Sequence, residues 1–171
     1  NIHNKKWQDS MIFRSYDIRG VYKKDIDEEV MRKIGYAFSE YAKKPIFVSH
    51  DVRLSSPSLA NAFLQGITQP SFSCSTLPLG TAMFYAWQNS LELAYITASH
   101  LPPEWNGVKF FHSNGIGYSS EEIQKIKSLY EHANPAEQAK AEKVDQAKAI
   151  SSYVEYLHKK ATPAEHSTIV I

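Results

Sequence analysis

Thr97-Ala98-Ser99-His100-Leu101-Pro102-Pro103-Glu104-Trp105-Asn106-Gly107-Val108-Lys109-Phe110-Phe111 sets a hydroxyl, an imidazole, two prolines, a glycine and an ammonium between two apolar runs. The run before it, Leu93-Ala94-Tyr95-Ile96, is short and reads as a buried strand. The run that closes it, Val108 to Phe111, is the second. Pro102-Pro103 can continue neither a ladder nor a helix, so the chain leaves the sheet there. A loop stiffened by two prolines has less backbone freedom left to lose and makes a good mount for a reactive group. On spacing alone the plainer reading stands first: an ordinary strand-to-strand loop with a serine in it, since Ser and Pro are common in loops.

Outward from this stretch, strands and helices alternate. Met11 to Tyr22 reads as a strand followed by a turn at Gly20, with Asp17 and Arg19 on one side of it. Asp27 to Lys43 is predicted helical: Val30, Ile34, Ala37, Phe38 and Tyr41 share a face, and acidic residues crowd its start. Ile46-Phe47-Val48 is a buried strand, and His50 to Arg53 a loop. Ser56-Pro57 opens a helix expected to run to Gln69. Ser71 to Leu77 is a strand, Pro78-Leu79-Gly80 a turn, and Thr81 to Gln88 a helix that buries Phe84, Tyr85 and Trp87. After the loop, Ser119 and Glu122 form a capping box for a helix through Ile123, Ile126, Leu129 and Tyr130. Residues 135–148 read as a solvated helical connector, and Ile150, Tyr153, Val154 and Leu157 as one face of a last helix.

This alternation predicts an α/β layered domain with a mixed, partly parallel sheet flanked by helices. Ser99 then falls just past the carboxyl end of a strand, the edge where open α/β sheets form their ligand crevices.

The chain has 171 residues, 43% hydrophobic and 22% charged, enough for one globular core and a tail. With 19 basic and 18 acidic residues, no basic excess points to nucleic acid or to an anionic membrane. No apolar run is long enough to span a bilayer. A single cysteine, Cys74, fits a reducing compartment, and so a cytoplasmic location. The histidines are scattered without the spacing of a zinc site. No Gly-rich phosphate loop ending in Gly-Lys occurs.

Three motifs in order carry a resemblance: Phe13-Arg14-Ser15-Tyr16-Asp17-Ile18-Arg19-Gly20, Asp51-Val52-Arg53-Leu54-Ser55-Ser56, and Thr97 to Pro103 followed by Asn106-Gly107-Val108-Lys109. Together they resemble the first domain of the α-D-phosphohexomutases, the phosphoglucomutase/phosphomannomutase family, from about Phe13 to the C-terminus. The departure is Leu101, where most members have Asn; Leu cannot supply the amide's hydrogen bonds.

The resemblance implies that Ser99 carries phosphate, moving it between the 1 and 6 positions of a hexose phosphate through a sugar bisphosphate. The implied catalytic set is Ser99, His100, Lys109 and Arg19. The implied substrate contacts are Tyr16, Arg19, His100 and Lys109. Mg²⁺ would be bound through the phosphate on Ser99 and an acidic loop of a second domain, with glucose or mannose bisphosphate as activator. A phosphoserine carries about −1.5 to −2 charges at pH 7. Such transfers run on positioning and charge neutralisation, which is the use the family makes of cations near the serine.

A hydrolase fits poorly: His100 adjoins Ser99, and neighbouring side chains of extended chain point apart. The sequence is also not a Gly-x-Ser-x-Gly elbow. Arg53 reads as a structural partner of Asp51 or Asp17 rather than a ligand contact. The expected organisation is a lead-in at 1–12, the serine-bearing α/β domain at 13–134, a connector and linker at 135–167, and the first strand of a second domain at 168–171. On this reading the partners are the hexose phosphate and the remaining domains of the same protein, and the chain alone is inactive. The alternative is a non-catalytic sugar-phosphate-binding or interaction module.

Overall fold

The computed structural model describes residues 11–135 and 141–161. Among them are six strands: β1 (Ile18–Val21), β2 (Ile46–His50), β3 (Ser71–Thr76), β4 (Glu92–Ile96), β5 (Trp105–Phe111) and β6 (Glu142–Lys143). The five helices are α1 (Glu28–Ala42), α2 (Ser56–Gly66), α3 (Leu79–Gln88), α4 (Ser120–Tyr130) and α5 (Gln146–Lys160). The strands form one sheet in the order β1-β5-β4-β2-β3-β6. β2 is parallel to β3 and to β4, and β3 to β6, whereas β5 is antiparallel to β4 and to β1. The sheet is therefore mixed, as the alternation predicts.

Side chains alternate across it and divide the core in two. Ile46, Val48, Ala94, Ile96, Val108 and Phe110 face a cluster with α1, α2 and α4. Phe47, Leu93 and Tyr95 face a smaller cluster that includes Ala82 and Ala86 of α3 and Ala149 of α5. In the larger cluster Phe38 stacks on Phe110 at a centroid separation of 4.1 Å.

Local signals set the helix starts. Asp27 caps α1 by accepting from the Val30 amide, and Ser119 and Glu122 complete the capping box of α4. Lys43 ends α1 in the left-handed region at φ 49°. α1 and α2 meet through two glycines: a Cβ on Gly35 would stand 2.1 Å from the Phe63 carbonyl oxygen, and one on Gly66 1.9 Å from that of Arg32.

Several expectations are corrected. Gly20 lies inside β1, and the turn comes after it. α2 stops at Gly66, short of Gln69, and its cap is Ser55, without a side-chain cap bond. Pro78 is the cap residue of α3, not part of a turn, because proline's missing N–H costs nothing at a helix start. α3 buries Thr81, Ala82 and Ala86, while Trp87 is exposed. Tyr85 packs on Phe47 of β2 at 4.7 Å, whereas Phe84 meets α5, 5.2 Å from Tyr153 and 4.9 Å from Tyr156, centroid to centroid. The stretch expected to be a helical connector contributes edge strand β6, and α5 starts at Gln146. Ile150, Val154 and Leu157 of α5 are exposed rather than buried. The expected lead-in and the terminal strand at 168–171 lie outside the described residues, apart from 11–12. No helix among the described residues is long and apolar enough to cross a membrane.

Candidate functional site

β2 and β4 are parallel neighbours, with His50 opposite Ile96. Their carboxyl ends therefore lie together at one edge of the sheet, and the loops that follow them, 51–55 and 97–104, must meet. β5 turns back from that edge, and β1 ends against it, with Val21 opposite Trp105. The three motifs are thus gathered by strand order.

Ser99 is exposed and sits in the left-handed region at φ 55°. A non-glycine residue there costs about 1–3 kcal/mol and persists only where its surroundings hold it. Its amide donates to Thr97 Oγ1 at 2.9 Å, and that hydroxyl donates to Asp51 Oδ2 at 2.7 Å. The Leu101 amide closes a turn onto the Ala98 carbonyl at 3.1 Å, and the Trp105 amide another onto Pro102 at 3.0 Å.

Beneath the loop lies Arg53. Its Nη2 donates to the carbonyls of Ser99 (2.8 Å) and Leu101 (2.7 Å), its Nη1 to those of Pro102 (2.7 Å) and Trp105 (3.1 Å), and its Nε to Asp51 Oδ2 (3.1 Å). The expected pairing with Asp51 is present; the grip on the serine loop is not something spacing predicts. Asp51 Oδ1 also accepts from the Arg53 amide at 3.0 Å and from Ser56 Oγ at 2.6 Å. Buried Asn106 donates from its amide nitrogen to Ser55 Oγ (2.7 Å) and Ser56 Oγ (3.0 Å). This explains the missing cap bond of α2: its first hydroxyls serve the loop contact instead. Leu101 contributes through its backbone.

The predicted cations fall on one face. Tyr95 pairs with Lys109, and Arg19 with Gly107, so Arg19, Gly107 and Lys109 share the face of Tyr95. The Thr97 amide donates to the Gly107 carbonyl at 3.0 Å, so β4 meets β5 beside Arg19 just before the serine loop. Gly107 is needed for this approach: a Cβ there would stand 2.0 Å from the Ile18 carbonyl oxygen and 2.8 Å from Arg19 Cα. Arg19 pairs with Asp17, Nε to Oδ1 at 3.5 Å, and its side chain stays 34% exposed, so it can still meet a solvent-borne anion. Lys109 is half-buried and His100 exposed, and neither side chain makes a hydrogen bond or ion pair with another described residue. Tyr16 is exposed and, with Phe13, Arg14, Asp17, Arg19 and Gln124, lines an open cleft of about 560 Å³. Ser99, His100 and Lys109 do not line that cleft. No group of three His, Cys, Asp or Glu among the described residues is placed to hold a metal ion.

The arrangement presents a strained, exposed hydroxyl at the carboxyl edge of a parallel pair of strands, with two cationic side chains on the adjoining strands. Residues 10–137 match the family model described as phosphoglucomutase/phosphomannomutase, alpha/beta/alpha domain I. The chain is 32% identical over 172 residues to a phosphomannomutase of Methanocaldococcus jannaschii, covering 95% of this chain and 38% of that protein. It is 33% identical over 129 residues to a phosphoglucosamine mutase of Prochlorococcus marinus, covering 72% of this chain and 29% of that one. The crystal structure of a phosphoglucomutase/phosphomannomutase family protein from Burkholderia thailandensis superposes with a TM-score of 0.72 at 29% identity, over 85% of this chain and 35% of that one. The chain thus spans about a third of the length of the proteins it matches. It belongs to the phosphoglucomutase/phosphomannomutase family, in its first, α/β/α domain.

Proposed function

We propose that this chain is the serine-bearing domain of a phosphohexomutase and that Ser99 carries the phosphoryl group. The observation that carries the reading is the exposed, left-handed Ser99 at the carboxyl edge of β4, next to the strands that hold Arg19 and Lys109. In the proposed cycle, the Oγ–P bond of phospho-Ser99 breaks as a P–O bond forms to a free hydroxyl of the hexose phosphate. That hydroxyl's proton passes by way of Lys109 to Ser99 Oγ, which is released as a hydroxyl, and on the return transfer it passes back to the sugar oxygen that loses its phosphoryl group. The resulting 1,6-bisphosphate turns over, and its other phosphoryl group returns to Ser99 Oγ. Arg19 and His100 bind phosphate oxygens and Tyr16 the sugar. Arg19 and Lys109 stabilise the charge spread over the transferring group.

The Mg²⁺ that the family resemblance implies would supply charge neutralisation at the phosphoserine. The described residues do not fit it unaided, since Ser99 has no acidic cluster beside it. No step here is routed through the ion.

The test is made on the protein that contains this chain. After incubation with glucose 1,6-bisphosphate, peptide mapping is expected to find one phosphate, on Ser99, and Ser99→Ala to abolish interconversion of glucose 1- and 6-phosphates. Phosphate on another residue, or an Ala variant with full turnover, would replace this reading with that of a sugar-phosphate-binding module.

A further inference from the structure

We propose that Arg53 is a positioning residue that sets the backbone of Ser99, and that it never touches the substrate. A guanidinium has five N–H donors in a rigid fork. In Arg53 all five bonds are spoken for: four go to the carbonyls of Ser99, Leu101, Pro102 and Trp105, and one to Asp51. Nothing is left to donate to a ligand. The four carbonyls belong to consecutive turns of one loop, so a single side chain fastens the segment from Ser99 to Trp105. By holding the Ser99 carbonyl, it holds the peptide plane that follows the left-handed residue.

The flanking residues point the same way. Val52 is 85% exposed and Leu54 101%, while the side chain of Arg53 between them is 12% exposed. The usual order of apolar inside and charged outside is inverted around one guanidinium. Local rules break in this manner where a site demands it. Asp51 offsets the buried charge and joins it, through Thr97 Oγ1, to the Ser99 amide. Both sides of Ser99 are therefore fixed from one ion pair.

Lysine cannot substitute. Its ammonium has three donors on a flexible stem and no planar fork. Without added guanidinium, Arg53→Lys is expected to behave like Arg53→Ala.

The link to turnover rests on the reading of Ser99 as the phosphate carrier, so the test has two independent arms. In the first, amide exchange is followed in the 171-residue chain. Both variants are expected to speed exchange of the Leu101 and Trp105 amides at least tenfold, with α1 and α4 unchanged. Guanidinium ion at low millimolar concentration is expected to restore protection in Arg53→Ala, whose cavity admits it, and not in Arg53→Lys. Unchanged loop exchange would overturn the proposal. So would a uniform rise across the chain, or the absence of guanidinium rescue in the Ala variant. In the second arm, kcat of the protein that contains this chain is expected to fall tenfold or more in Arg53→Ala at nearly unchanged KM, with recovery by guanidinium. A raised KM at normal kcat would overturn the positioning role by marking a ligand contact. Should Ser99→Ala prove fully active, the carrier reading fails while the exchange arm still decides what Arg53 holds.

Discussion

At the scale of single residues, the most concentrated polar chemistry outside the serine loop surrounds Glu92. Its carboxylate is buried at 1% exposure and accepts from Tyr118 Oη at 2.5 Å and Lys44 Nζ at 3.2 Å, with His112 Nδ1 at 3.1 Å. The other nitrogen of His112 faces Glu122 Oε1 at 3.0 Å, and the ring stacks on Tyr118. Burial alone would raise the Glu92 carboxyl; the hydrogen bonds of Tyr118 and Lys44, with the Lys44 charge, outweigh it and hold it below its ordinary value. A depressed carboxylate adds stability that is fully present above the unfolded value, about 4.3, and is lost as pH falls through the folded one. Urea midpoints between pH 6 and pH 3 are therefore expected to fall more in the wild type than in Glu92→Gln. His112→Ala, which strips a partner from a buried carboxylate, is expected to cost about 1–3 kcal/mol at neutral pH. Glu28 is also depressed, to about 2, chiefly by its hydrogen bond from Lys23, but that pair is solvent-exposed and is expected to contribute little. For the two candidate phosphate cations the expectation is kinetic. Losing one charge-assisted contact costs about 1.5–3 kcal/mol. In the protein that contains this chain, Arg19→Ala and Lys109→Ala are thus expected to slow turnover about ten- to a hundredfold while leaving the thermal midpoint nearly unchanged. Normal turnover in both would leave Arg19 a surface ion pair with Asp17.

At the scale of elements, the α1–α2 crossing and the α1 cap are the sharpest places to intervene. Gly35 and Gly66 let the two backbones approach closer than a methyl group allows. Gly35→Ala and Gly66→Ala each add a carbon about 2 Å from a backbone oxygen of the other helix. The helices must separate, which is expected to cost about 1–3 kcal/mol, the reverse of the usual gain for Gly→Ala in a helix. A midpoint that rises would overturn the crossing geometry. Asp27→Ala removes one capping bond and is expected to cost about 1 kcal/mol, read from the same chemical melts. The α4 capping box was legible from Ser119 and Glu122 because both partners lie within one turn. The start of α2 was not: Ser55 and Ser56 turn their hydroxyls to Asn106 and Asp51, residues whose proximity depends on strand order. The burial pattern of α3 escaped for a similar reason. Phe84 and Trp87 satisfy a helical period but are claimed by Tyr153 and Tyr156 of α5, while Tyr85 joins the small residues on the sheet side, against Phe47.

At the scale of the whole molecule, the described residues form a folded α/β/α layer structure with two core clusters but no metal cluster, and the chain spans about a third of its relatives' length. The purified chain is therefore expected to fold cooperatively and yet not to interconvert hexose phosphates in a coupled assay with glucose 1-phosphate, Mg²⁺ and a bisphosphate primer. Turnover at rates typical of an enzyme would show that these residues suffice. By itself, the sequence determined the alternation of strands and helices, the mixed α/β class, and the place of Ser99 beyond the end of a strand. Each of these follows from local periodicity and from prolines and caps, which act over a few residues. Only the tertiary structure decided which loops meet. Arg53 reaches carbonyls 46 to 52 residues away because β2 and β4 pair in parallel and β5 doubles back. It also decided that 142–143 would add an edge strand to β3 and that one face of α5 would stay exposed. Strand order is set by the free energy of the assembled sheet, to which no local window of residues has access.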